Sequence, residues 1–385
     1  MANTNLSNAK AAKNDEFYTQ YPDIQKEINA YLDYDPNVFR GKTVLLPCDD
    51  PEWSNFTKFF AQNFELLGLK KLISTSYAYE SKKVKGPIQL TLFETEAPQF
   101  DASKTQTHGK IFVLDKDING DSRININDLQ WQYLEGDGDF RSKEIRKLRD
   151  EADIIVTNPP FSLFREFVTW LMEADKKFII IGNMNAITFG EVFPLMKDNK
   201  IWLGRGFDKG NAYFRVEVPR TSYADGVYNE TTNLVKFRNC AWFTNLDHGR
   251  RHQPLDLMKA NEIFKYSKHK DIRGRKEFLR YINYDAIEIP YTDSIPIDYD
   301  GAMGVPISFL DRYCPEQFEI LGIDGGDMGS SYGVSANLTK EECHALFREH
   351  KGFRKGKLCY RNDDGKLEVC YRRVLIRKKQ LIYEY

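Results

Sequence analysis

No apolar stretch in this chain of 385 residues approaches the length of a membrane span, so no membrane partner is expected. There is no C-x-x-C pair among its six cysteines, which argues against both a disulfide framework and a zinc module. Reduced thiols in a cytoplasmic setting are the expectation, with no metal site. The six histidines are scattered. The first residues lack the apolar segment of a secretion signal, and residues 1–12 read as a mobile lead. No internal repeat is visible. What the chain does have is length for more than one ordinary domain, and a hydrophobic content of 41%, ample for a core.

An excess of charge of either sign is also missing, the net charge being −1. Taken whole, that value argues against a nucleic-acid partner. Its distribution does not. Residues 250–280 hold ten Lys or Arg against four Asp or Glu, and residues 348–379 hold twelve against four. Between them, residues 285–327 are strongly acidic. A basic footprint on one face is compatible with a balanced total. Arg250, Arg251, Arg273, Arg275 and Lys276 are the candidates for phosphate contact. Solvated faces are the plainer explanation of either basic stretch alone, and two such stretches in one half of the chain weaken it.

Apolar periodicity gives an alternation of elements. Residues 22–32 read as a short helix with proline in its first turn. Thr43-Val44-Leu45-Leu46 is a short strand, and residues 52–67 follow as a helix with Phe56, Phe59, Phe60, Phe64 and Leu67 on one face. Further strands are expected at 71–75, 111–114, 153–157 and 178–182, and a charged helix at 142–151. Residues 81–107 read as a polar excursion. After Gly182 the pattern loosens, with strands at 200–203 and 241–244 and an irregular or short-stranded stretch at 283–306. Strand and helix in alternation predict an α/β fold with a parallel sheet, and continuous apolar strands predict a sheet covered on both faces. Ligands of such folds sit beyond the carboxyl ends of the strands. Three polar turns lie at such ends: Cys48-Asp49-Asp50-Pro51, residues 136–140, and Asn158-Pro159-Pro160-Phe161.

The last of these is the most informative. Two consecutive prolines fix φ and remove two backbone donors, so the Pro159 carbonyl becomes a stiff acceptor. The Asn158 side-chain oxygen is a second acceptor. Two acceptors satisfy the two N–H bonds of a planar exocyclic amine and favour a nearly tetrahedral nucleophile. Phe161 offers a stacking face, and Ser162 reads as the N-cap of a helix over residues 163–174. That is the equipment for methyl transfer to such an amine by orientation and electrostatics. The tetrapeptide alone fits an adenine of DNA or RNA, or a glutamine amide.

The first turn has no glycine, so close backbone approach to a pyrophosphate is not expected. Two carboxylates repel phosphate and suit S-adenosylmethionine, which carries a sulfonium and an ammonium, better than NAD or ATP. An Asx turn capping the next helix is the plainer alternative. Trp53 and Ser54 are candidates for the pocket wall. Asp139 and Phe140 offer an acceptor and an aromatic face. Cys48 reads as packing rather than as a nucleophile.

These residues carry a resemblance that covers almost the whole chain. Residues 13–20 (Lys-Asn-Asp-Glu-Phe-Tyr-Thr-Gln), 48–51, 54–56, 138–140, 158–161, 242–246, 283–287, 300–306 and 374–379 resemble the adenine-specific DNA methyltransferases of the EcoRI methylase family. The resemblance implies a Rossmann-like S-adenosylmethionine-dependent methyltransferase sheet, catalytic over residues 13–246, with a C-terminal target-recognition region over 247–385. It implies transfer to adenine N6 in a short site of double-stranded DNA. Tyr18, Thr19 and Gln20 would hold the methionine end of the donor, beside Pro47, Cys48, Asp49, Asp50 and Pro51. Asp139 and Phe140 would bind its adenosine. The flipped base would meet Asn158, Pro159, Pro160 and Phe161. Leu46 departs from the acidic residue that amino-methyltransferases commonly place at the end of the first strand, and Asp49 or Asp50 is expected to compensate. Glu80 is a weak candidate for the ribose. The working form is expected to be a monomer, with a restriction endonuclease as functional counterpart. The alternatives are methylation of RNA adenine or a protein glutamine, and a non-catalytic DNA-binding relative.

Overall fold

The computed structural model describes residues 18–49, 54–78, 95–207, 210–215, 226–325 and 338–379. They form a mixed α/β structure in two compact units, one drawn from Met1–Ala186 and Trp202–His248, the other from Ile187–Ile201 and Gly249–Tyr385. Residues 187–201, read from sequence as part of the catalytic region, thus group with the second unit.

The first unit begins with β1 (Tyr18–Thr19) and α1 (Tyr21–Tyr34), whose Pro22 sits in the first turn as expected. Then come β2 (Thr43–Leu46), α2 (Asn55–Gln62), α3 (Phe64–Leu67) and β3 (Lys71–Ser76). The helix expected over residues 52–67 is therefore two, broken at Asn63, and residues 50–53 lie outside the described ones. The chain continues through α4 (Ala102–Thr107), β4 (Lys110–Leu114), β5 (Gln130–Tyr133), α5 (Lys143–Glu151), β6 (Ile154–Thr157), α6 (Phe164–Glu173) and β7 (Lys177–Asn183). A short helix, α7 (Phe193–Lys197), belongs to the second unit. The first unit resumes with β8 (Trp202–Leu203), β9 (Asn211–Arg215), β10 (Tyr228–Asn229), β11 (Leu234–Arg238) and β12 (Cys240–Thr244).

Eight strands make the main sheet in the order β5-β4-β3-β2-β6-β7-β12-β8. Only β3, β2, β6 and β7 run parallel to their neighbours in that group; β4, β5, β12 and β8 pair antiparallel. This corrects the all-parallel expectation. A parallel return requires a crossover of a dozen or more residues, usually helical. Between β3 and β4 the helix seen among the described residues, α4, has six residues, and β4 comes back antiparallel. The central strands β2 and β6 are buried at every position, which is why they read as unbroken apolar runs. One face of β2 packs with Phe56, Phe59 and Phe60 of α2. Ser54 caps that helix, its hydroxyl accepting from Phe56 N–H at 3.1 Å. α6 buries Phe164, Phe167 and Trp170. The Phe164 ring packs against β7 at Gly182, where a Cβ would stand 2.4 Å from it.

A second sheet of the same unit is antiparallel, in the order β1-β9-β11-β10. Thr19 pairs with Phe214, and Val235 with Phe214 from the other side.

The second unit contains α8 (Ala260–Tyr266), β13 (Ile287–Glu288), β14 (Met303–Pro306), β15 (Phe318–Ile323), α9 (Lys340–Glu349), the hairpin β16 (Cys359–Arg361) and β17 (Leu367–Val369), and β18 (Arg373–Lys378). Its sheet runs β13-β14-β18-β15. The short strands found within residues 283–306 agree with the sequence reading. Glu288 and Arg373 form a buried ion pair at 2.6 Å, with side chains 3% and 14% exposed. Tyr281 donates its hydroxyl hydrogen to the same carboxylate. No helix among the described residues is long and apolar enough to cross a membrane.

Candidate active site

β2 is the strand from which the chain leaves in both directions. It runs outward through β3, β4 and β5, then returns to β6 on the other flank and goes on to β7. Where neighbouring strands lead away to opposite sides, their carboxyl ends open a crevice. The turn after β2 and the turn after β6 stand on its two lips. They are Pro47-Cys48-Asp49 and Asn158-Pro159-Pro160-Phe161.

Hydroxyl groups tie these lips together. Asp49 is 6% exposed. One of its carboxylate oxygens accepts from Thr157 Oγ1 at 2.6 Å, the other from Ser54 Oγ at 2.7 Å. Its carbonyl accepts from Ser74 Oγ at 2.5 Å, and the Pro47 carbonyl from Thr75 Oγ1 at 3.1 Å. Asp49 thus braces the first turn against the end of β6, where the sequence had suggested a donor ligand. Both of its carboxylate oxygens already accept hydrogen bonds from the protein. Asp50, Pro51, Trp53 and Glu80 lie outside the described residues. Replacing Thr157 with valine, which keeps shape and removes the hydroxyl, is expected to cost about 1–3 kcal/mol of stability and to slow methyl transfer. Denaturant titration beside steady-state rates checks this, and an unshifted midpoint with an unchanged rate would remove the brace from the account.

The loop at residues 136–140 lies against the carboxyl end of β3. Ala78 N–H donates to the Asp137 carbonyl at 2.8 Å. Gly138 has φ +86° and passes so close that a Cβ would stand 2.3 Å from the Ser76 carbonyl. Asp139 is half-buried and held by Arg141, with Nη2 at 2.6 Å. Burial pushes its carboxyl up, but the hydrogen bonds and charge of Arg141 outweigh that and leave it below the usual range, hence ionised. Phe140 corrects the expectation of a stacking face. Its ring is fully buried, 5.0 Å from Phe167 and 5.6 Å from Trp170 centroid to centroid, so both neighbours are protein. The charge of Asp139 reaches Cys48, whose thiol is pushed well up by burial and by Asp49, with Asp139 adding and Thr157 opposing. A thiol so placed stays protonated, in line with packing rather than nucleophilic chemistry.

Tyr18 and Thr19 form β1 and Gln20 follows. Asn55 Nδ2 donates to the Thr19 carbonyl at 2.7 Å, joining this segment to the helix that leaves the first turn. The Thr19 hydroxyl is buried and has no hydrogen-bond partner among the described residues.

At the second turn, Asn158 is half-buried and Pro159 buried. Leu163 N–H takes the Pro160 carbonyl at 2.9 Å, winding Phe161–Leu163 into a 3-10 turn before α6 begins. Leu163 therefore occupies the cap position of α6, one residue beyond the expected Ser162. The Pro159 carbonyl has no hydrogen bond among the described residues. Phe161 meets the rings of Phe214 and Phe237 edge-on, each at 6.4 Å.

Three groups escaped the sequence reading. Phe214 and Phe237 show only as alternation in two short stretches. Glu27 on α1 is fully buried and accepts from Tyr31 Oη at 2.8 Å, Arg205 N–H at 2.9 Å and Gly206 N–H at 3.0 Å. Burial pushes its pKa up to about 7 against those hydrogen bonds. It anchors the loop that lays Phe207 on Trp242, with ring centroids 5.5 Å apart. A lone glutamate between Ile24 and Ile28 was the available signal.

In the second unit the candidate phosphate contacts divide. Arg250 pairs with Asp311 at 2.5 Å, and Arg275 grips Asp363 with two hydrogen bonds of 2.9 and 2.8 Å. Arg251 is buried and donates to Asn199, which corrects the expectation that it faces a partner. Arg273 and Lys276 are exposed.

The turns after β2 and β6, joined through Asp49 and Thr157, and the loop at residues 136–140 thus gather at the carboxyl ends of the parallel strands, in a protein of the methyltransferase class. The chain belongs to the EcoRI family of adenine-specific methyltransferases, whose model matches residues 5–379. It is 41% identical over 329 residues to the Type II methyltransferase M.EcoRI of Escherichia coli, covering 84% of this chain and 91% of that protein. It is 31% identical over 380 residues to the Type II methyltransferase M.MpnI of Mycoplasma pneumoniae, covering 97% and 98%. The Type II methyltransferase M.MgeORF184P of Mycoplasma genitalium is 30% identical over 382 residues, with 98% and 99% covered. No solved structure matches the chain. The expected activity, that of a DNA adenine methyltransferase, stands with this family and these Type II relatives, and a glutamine-amide substrate falls away.

Proposed function

We propose that the chain methylates N6 of an adenine flipped out of a short duplex DNA site, using S-adenosylmethionine as donor. The brace from Asp49 to Thr157 carries this reading, because it holds the donor-side turn and the base-side turn on one crevice. The residues present suit such a donor. The turn after β2 has no phosphate cradle, Asp139 is ionised, and the buried Thr19 hydroxyl has hydrogen-bonding capacity to spare among the described residues. The bound donor would supply an electrophilic methyl on sulfur. Tyr18, Thr19, Gln20, Cys48 and Asp139 would hold it, in a Rossmann-like sheet.

The chain's own residues supply orientation. Asn158 Oδ1 and the Pro159 carbonyl accept the two N–H bonds of the adenine amine, fixing its nitrogen lone pair toward the donor side. Pro159 is buried and Pro160 rigid, so the acceptors need little reorganisation when the base arrives. Phe161, propped by Phe214 and Phe237, offers its ring to the base. The nitrogen loses a proton only after the methyl has arrived, so no strong base is required beforehand. The second unit would act as target-recognition region, with Arg273 and Lys276 the exposed candidates there. The Type II relatives support a place in restriction–modification; a cognate endonuclease as counterpart and a monomer as the working form belong to the same proposal.

Tritiated methyl transfer from S-adenosylmethionine to duplex DNA, RNA and protein, followed by nucleoside analysis, tests this. Label is expected in N6-methyladenine of duplex DNA. Label confined to RNA would replace the substrate and keep the chemistry.

A further inference from the structure

The sheet β1-β9-β11-β10 has two unlike faces. Strand residues alternate in direction. On β9 and β11 the buried set is Ala212, Phe214, Val235 and Phe237. These form the wall on which Phe161 rests. The alternate set is Tyr213, Arg215, Lys236 and Arg238, of which Tyr213 is 42% exposed and the two arginines are exposed. Register sets Lys236 opposite Tyr213, Arg215 opposite Leu234 and Arg238 opposite Asn211. No two cations face each other directly. Lys236 Nζ lies 5.9 Å from the centre of the Tyr213 ring, confirming that both stand on the outer side.

Three positive charges gather here with no carboxylate among the described residues of the four strands. Glu217 follows Arg215 by two residues in sequence and lies outside the described residues, and Glu230 follows β10 in the turn to β11. No ion pair to Arg215, Lys236 or Arg238 is seen among the described residues, in contrast to Arg250 and Arg275. Charges on edge strands often serve to prevent sheets from joining. β9 and β11 are the inner strands of this sheet, so that explanation does not cover them.

We propose that this outer face is a contact surface for the phosphate backbone of the substrate duplex, lying within the catalytic unit. The proposal rests on the DNA reading above. Charge complementarity selects the occupant: a face with three cations and an aromatic ring suits a polyanion, and phosphate contacts fix a duplex without reading its bases. Phe214 and Phe237, which support the base-side corner, alternate in the strand with the cations themselves. The cations point away from that corner, on the opposite face of the same two strands, so they meet phosphates that flank the flipped base rather than those beside it.

The test is the salt dependence of duplex binding, measured by fluorescence anisotropy with the full chain and any duplex of about thirty base pairs. The triple variant Arg215→Gln, Lys236→Gln, Arg238→Gln is compared with the unmodified protein. Each lost contact is expected to flatten the slope of log affinity against log salt by about 0.9. For three contacts, the unmodified chain then loses roughly 40-fold more affinity than the variant between 50 and 200 mM salt. Donor binding and melting temperature are expected to stay unchanged. The double variant Lys236→Gln, Arg238→Gln leaves β9 intact, and about two thirds of the effect is expected from it. Lysine at positions 215 and 238 should keep the original slope. An unflattened slope in a folded triple or double variant overturns the surface while leaving the DNA reading intact. Failure of the unmodified chain to bind duplex DNA at all overturns both.

Discussion

Alanine in place of Asn158 is expected to lower the turnover number by about 10²–10³-fold, the usual cost of removing one fixed dipole from a reacting centre. The side chain follows directly on Thr157, whose hydroxyl is pinned to Asp49, so its backbone position is set before any ligand arrives. Truncation removes one of two acceptors and leaves the other, the Pro159 carbonyl, in place. The amine then keeps one N–H bond directed and loses the second, and its lone pair swings out of line. An interaction that matters most as the nitrogen becomes tetrahedral shows in turnover rather than in substrate affinity. Donor affinity is expected to hold, because the groups assigned to the donor lie on the other lip and on β1. Single-turnover rates with calorimetric donor binding read the two effects separately. Unchanged turnover would take the amide out of the mechanism.

The second large effect is on stability. Methionine at Arg373 is expected to destabilise the protein by about 3–5 kcal/mol, since Glu288 would be left charged and buried without its counterion. Glu288 is 3% exposed and accepts both Nε and Nη2 of Arg373, at 3.0 and 2.6 Å. The two residues lie on β13 and β18, on either side of β14, so the pair clamps three strands. Removing both partners together, Glu288→Leu with Arg373→Met, is expected to recover most of the loss, because an apolar pair of similar volume needs no compensation. Urea denaturation of the single and double variants measures this. Equal midpoints for the unmodified chain and Arg373→Met would show that water reaches the carboxylate.

The elements around the crevice were legible where chemistry and local pattern coincide. Ile154-Ile155-Val156-Thr157 announces a buried strand, and two prolines after it fix a corner whatever the rest does. Direction is another matter. Lys110–Leu114 reads equally well as a parallel or an antiparallel strand, because periodicity carries no sign. The break at Asn63 was hidden inside a continuous aromatic face. The role of Asp49 depends on a hydroxyl 108 residues away, and no local window contains both. Phe140 shows the converse limit. An aromatic beside an acid suggests a base-stacking site, yet three-dimensional packing consigned the ring to Phe167 and Trp170. Hydroxyls clustered at the ends of otherwise apolar strands, Ser74, Thr75 and Thr157, were the readable trace of the brace.

The pairing of Thr19 with Phe214 has a bearing on how the enzyme comes into being. These partners lie about 195 residues apart in sequence, and Val44 waits for Ile154. At ribosomal rates of ~5–20 residues per second, the N-terminal segment spends about 10–40 s without its neighbour. A nascent chain that has emerged only through the Asn-Pro-Pro-Phe corner therefore lacks both β9 and the ring that props Phe161. The base-side corner is therefore completed only when the last strands of the first unit have left the ribosome.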